Sequence, residues 1–108
     1  MLTCQNNTIT MTRGDTAVLK LDIIDEQGIP YDVTDSDVVL FTLKRSVLDK
    51  AVVFQKSMAD GKIIIHPQDT ASLDYGQYVY DVELTQGSGF VATVIPPSRF
   101  VVAEEVTW

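Results

Sequence analysis

Apolar and polar residues alternate along most of this chain with a period of two, which places successive side chains on opposite faces of a β-strand. The clearest run lies in residues 73–84, where a turn leads into a strand. Tyr78, Tyr80, Val82 and Leu84 share one face there, and Val79, Asp81, Glu83 and Thr85 the other. A second run sets Ala17, Leu19, Leu21 and Ile23 against Val18, Lys20, Asp22 and Ile24. A third covers residues 38–44, with Val39, Phe41 and Leu43 facing inward. Weaker extended patterns occupy residues 8–12, 52–57, 62–66, 90–95 and 100–106. Between them stand turn-forming residues: Arg13-Gly14-Asp15, Asp25-Glu26-Gln27-Gly28, the hairpin pair Asp60-Gly61, and Gln86-Gly87-Ser88-Gly89. Pro30 excludes its segment from a central strand, Pro67 stops a strand, and Pro96-Pro97 interrupts another. Residues 67–73 fit one helical turn crossing between sheets, and residues 1–7 form a loose lead-in or an edge strand.

No segment sustains the 3.6 period of an amphipathic helix, and strands separated by turns at short intervals indicate an all-β sandwich or barrel. The expected architecture is a sandwich of seven to nine antiparallel strands forming one domain over residues 1–108. Its expected core is Leu19, Leu21, Ile23, Val39, Phe41, Leu43, Ile63, Ile65, Tyr78, Tyr80, Val82, Val94 and Phe100. A chain of 108 residues buries roughly 65% of its unfolded surface, enough for one core without a metal or disulfide staple. Cys4 is the single cysteine, so no intrachain disulfide can form.

The net charge of −7 disfavours nucleic acid, which requires a basic face. Apolar runs are too short to span a membrane, and the N-terminus lacks the pattern of a secretion signal. His66, at a strand end beside Pro67, has no nucleophile or orienting carboxylate in a recognisable pattern, and Cys4 has no CxxC. Asp32, Asp35 and Asp37 cluster in one loop and are the candidates for Ca²⁺; their spacing departs from the EF-hand loop, and Asp also starts turns and caps free N–H groups. Arg13-Gly14-Asp15 is the tripeptide integrins read from loop tips, but a Gly flanked by charges between two strands is what any hairpin turn wants, and the turn is the expected reading. Tyr75 and Trp108 are candidate interface anchors. No cofactor is expected.

Asp74-x-Gly76-x-Tyr78 resembles the tyrosine corner of immunoglobulin-like sandwiches, in which a Tyr hydroxyl returns to the backbone just upstream. A longer series extends the likeness. Thr12-Arg13-Gly14-Asp15-Thr16 opens a strand, followed by Asp25-x-x-Gly28-x-Pro30, Asp32-Val33-Thr34 and Phe41-x-Leu43-Lys44. Asp60-Gly61-Lys62-Ile63, the corner strand, Thr93-Val94-Ile95-Pro96 and Phe100-Val101-Val102 complete it. In this order the chain resembles the immunoglobulin-like N-terminal domain of tailed-phage baseplate upper proteins and related short phage and prophage structural proteins. The resemblance implies a virion assembly module without enzymatic activity, present in the particle or in the bacterial cytoplasm before assembly. Its implied partners are other phage structural proteins, and a homo-oligomer is expected. Residues 52–55 and 90–95 are the sheet edges expected to take a further strand, and Pro30 and Pro96-Pro97 mark protected ones. The alternative is a carbohydrate- or cell-surface-binding module, which aromatic rings on a solvent-facing sheet would favour.

Overall fold

The computed structural model describes Thr3, Cys4 and residues 8–106. Among these residues lie nine strands and one helical turn: β1 (Thr3–Cys4), β2 (Ile9–Thr12), β3 (Ala17–Lys20), β4 (Ile23–Ile24), β5 (Val38–Lys44), β6 (Phe54–Ser57), β7 (Lys62–Ile65), α1 (Pro67–Thr70), β8 (Gly76–Thr85) and β9 (Val91–Ala103). A five-stranded sheet has the order β2-β9-β8-β5-β6, and β3-β7 and β1-β4 are two-stranded sheets. The inward faces of the large sheet and of β7 share one core with Met11, Ile23 and Leu73. The fold is an all-β, immunoglobulin-like sandwich.

The core follows from the alternation. On β8, Tyr78, Tyr80, Val82 and Leu84 are all buried, and on β5 so are Val39, Phe41 and Leu43. Phe41 is stacked with Tyr80 at 5.2 Å and with Phe54 at 5.9 Å, and meets Phe100 edge-on at 6.2 Å. From β7, Ile63 and Ile65 are fully enclosed in the same core.

Several expectations need correction. Strand β2 runs parallel to β9, from Ile9 opposite Phe100 to Thr12 opposite Ala103, so the sandwich is not wholly antiparallel. Of the two readings of the lead-in, the edge strand holds at Thr3 and Cys4, which pair with Ile24 and Ile23. The run 17–24 is two strands: β3 follows β7 to Lys20 opposite Lys62, where the partner turns away, and β4 then takes β1 instead. Leu19 and Leu21 are accordingly half-buried, packed against the core rather than within it. Asp60 and Gly61, with φ of 52° and 75°, form the expected tight turn, but the strands it joins enter different sheets.

Pro96-Pro97 does not end a strand. β9 continues through both prolines, and the ladder with β8 shifts register on either side of Val82. Extra residues at these irregularities need no ladder N–H, which is where proline is tolerated in a sheet. The shifts also preserve parity: Ala92 and Val94 before them and Phe100 and Val102 after them all point inward.

Of the two segments expected as open edges, β6 does form one edge of the large sheet. Its Lys56 shares a face with its register partner Phe41 and reaches Asp69 of α1 at 2.9 Å. An inward-facing charge on an edge strand obstructs the addition of a further strand. Residues 91–95 of β9 pair with β8 on one side, while β2 covers only Phe100 to Ala103 on the other.

Gly76 opens β8 with φ of 135°, and an added Cβ would meet nothing within 4 Å. Gly76→Ala therefore tests backbone conformation without steric overlap. It is expected to cost about 1–3 kcal/mol in denaturant unfolding, and an unchanged midpoint would show that the corner tolerates a different φ.

Candidate functional site

The corner gathers several long-range polar contacts. The Tyr78 hydroxyl donates to the Asp74 carbonyl at 2.8 Å, closing the loop that Gly76 bends. Arg13, from the turn after β2, inserts beside it. Its guanidinium pairs with Glu105 at 2.7 Å, donates to the Leu73 carbonyl at 3.3 Å, and lies 4.3 Å from the Tyr75 ring centroid. The hydrogen bond to Glu105 holds its proton more firmly than usual. The next residue, Gly14, donates its N–H to the buried Thr70 hydroxyl at 2.9 Å. The Arg-Gly-Asp tripeptide thus ties the turn to the corner and the C-terminal strand, with the Arg side chain engaged. Tyr75 is that cation's platform, and Trp108 lies outside the described residues.

The opposite end of the large sheet carries the aspartate loop. The Asp37 carboxylate accepts the Thr34 N–H at 3.0 Å and the Tyr31 hydroxyl at 2.7 Å, and Tyr31 in turn accepts from the Gln86 side chain at 3.1 Å. Asp37 organises the loop, while Asp32 and Asp35 are exposed. Among the described residues no three His, Cys, Asp or Glu side chains converge as a metal site, so the three aspartates are not brought together as ligands. His66 is exposed; its N–H donates to the Asp69 carboxylate at 2.7 Å, starting α1.

The Thr34 N–H and then the Tyr31 hydroxyl hold the Asp37 carboxyl below the usual carboxylate range. At Asp69 burial opposes ionisation, but Lys56 and the His66 N–H outweigh it and lower that group too. Both folded values lie beneath the unfolded one, about 3.9. Their contribution to stability is complete above that value and is lost as pH falls through the folded values. Melting temperature is expected to drop on acidification below about pH 4, and Asp37→Asn should flatten that fall. An identical acid limb in the variant would show that Asp37 contributes nothing to it.

The outer face of the large sheet holds a groove of about 280 Å³. Leu40, Thr42, Val79 and Asp81 are among the side chains lining it, and the 45–53 loop adds Val47 and Val52. Val47 is 61% exposed, Val52 43%, and the neighbouring Leu48 92%. Around the strand ends it continues into a second groove of about 540 Å³, flanked by Arg45 and Arg99. The two share Val47, Val79 and Pro97. Neither surface was singled out from sequence. The only available signal was Val47-Leu48 in a loop segment without alternation, and strand parity alone does not reveal concavity.

No protein-family profile matches the sequence, and no curated protein matches it. Among solved structures, murine CRIg is similar in fold, with 13% identity over 98% of this chain and 99% of that one, at a TM-score of 0.49. No helix among the described residues is long and apolar enough to cross a membrane.

Proposed function

We propose that the protein is a non-catalytic assembly module of a phage or prophage particle, docking onto other particle proteins through the outer face of its five-stranded sheet. The observation that carries this reading is the groove on that face, where Leu40, Val47, Val52 and Val79 line a concavity together with polar side chains and Val47 and Val52 stand exposed along it. Single surface aliphatics are ordinary, whereas several around one concavity suit a desolvated contact with a partner side chain. The resemblance of the ordered motifs from Thr12 to Val102 to phage structural proteins supplies the setting.

A sugar-binding face would present aromatic rings. The outward residues of β5, β6 and β8 beside the groove are Leu40, Thr42, Lys44, Gln55, Val79, Asp81 and Glu83, and the aromatic that lines it, Tyr80, is a core side chain only 3% exposed rather than a ring presented to solvent. The assembly reading is favoured on that ground. The test is to induce a lysogen encoding the chain, purify particles through a density gradient and immunoblot the fractions. The chain is expected in the particle band; its confinement to soluble fractions would overturn the reading.

A further inference from the structure

The two ends of the large sheet differ in charge. The end where β5 begins carries the exposed Asp32 and Asp35, with Asp37 and Asp60 around the same concavity. Where β5 ends, about 20 Å away along its seven residues, lies the groove flanked by Arg45 and Arg99, and no carboxylate lines it. Arg13 and Lys56 are in ion pairs, whereas neither Arg45 nor Arg99 forms one among the described residues. Arg45 stands 5.6 Å from the Tyr78 ring centroid, which fixes one side of the groove against the corner. In a chain of net charge −7, two arginines that have no carboxylate partner among the described residues, on one concave surface, are an unspent attraction for an anionic partner.

The aspartate end has matching chemistry. Val33 is 36% exposed and stands between Asp32 and Asp35, so the loop presents an apolar side chain flanked by two carboxylates. The groove presents the complement, Val47, Val79 and Pro97 between two guanidiniums. We propose that copies of this chain associate head to tail, with the loop bearing Asp32, Val33 and Asp35 of one copy seated between Arg45 and Arg99 of the next. The apolar contact supplies burial, and the charges fix orientation and exclude the reversed docking. Because the two surfaces lie at opposite ends of the molecule, the contact is heterologous and repeats into a ring or filament rather than closing as a dimer. This deepens the assembly reading by naming one partner, and its test does not depend on incorporation into a particle.

Sedimentation velocity on the purified chain over a wide concentration series tests it, with two charge-reversed variants. One carries Arg45→Glu and Arg99→Glu, and the other Asp32→Lys and Asp35→Lys. Wild type is expected to grow beyond dimer mass with concentration. Each variant alone should remain monomeric, because its loop and groove then repel. An equimolar mixture should associate again, since each variant's groove is complementary to the other's loop. Matching circular dichroism and melting curves confirm that the variants fold. A wild type that stays monomeric, association untouched by charge reversal, or a mixture that stays monomeric would each overturn the proposal.

Discussion

Tyr78→Ala is expected to destabilise the fold by about 3–5 kcal/mol, whereas Tyr78→Phe should cost only about 0.5–1.5 kcal/mol. The ring is 3% exposed within the core of β8, so its removal leaves a cavity between the sheets. The phenylalanine variant keeps that packing and loses only the hydroxyl that donates to the Asp74 carbonyl. The carbonyl can turn to water at the exposed Asp74, which keeps the smaller cost within the range of one hydrogen bond. Equilibrium denaturation of both variants separates the two contributions. Equal losses would mean that the corner bond dominates and the ring packing does not; no loss in the phenylalanine variant would mean that the bond adds nothing.

Phe41→Ala should be comparably damaging, about 3–5 kcal/mol, for a different reason. Phe41 has no exposed surface, and its neighbours Tyr80, Phe54 and Phe100 come from three other strands of the same sheet. The cavity would open among aromatic rings that cannot collapse without moving strand backbones. Phe41→Leu keeps most of the volume and should lose less. A fall of under about 1 kcal/mol for Phe41→Ala would show that these rings repack freely.

How far the sequence could be read depended on what alternation reports. It reports faces, and so Val39, Phe41 and Leu43 on β5 and the four inward residues of β8 were legible. It does not report partners. The run from Ala17 to Ile24 keeps one parity throughout, yet changes from β7 to β1 because β7 begins only after the turn at Gly61. Pro96-Pro97 looked like a strand end because proline cannot donate to a ladder, and the register shift that accommodates it belongs to the pairing with β8. The parallel contact of β2 with β9 joins residues about ninety positions apart and leaves no local trace. At the candidate surfaces the same limit holds: Asp32, Asp35 and Asp37 were visible as a cluster, but which of them would be spent on Thr34 and Tyr31 was not. Arg45 and Arg99 are distant in sequence and come to flank one groove because Lys44 and Arg99 both lie opposite Val79 on β8.

The central claim is that the outer face of the large sheet attaches this chain to a particle. Its most direct measurement is the retention of Val47→Glu, Val52→Glu on particles from a strain lacking the native gene, compared with wild type supplied in the same way. Both positions are exposed, so the double variant is expected to melt with wild type. It should nevertheless be absent from the gradient-purified particle band in which wild type is found. Retention of the folded variant at the wild-type level would contradict the account.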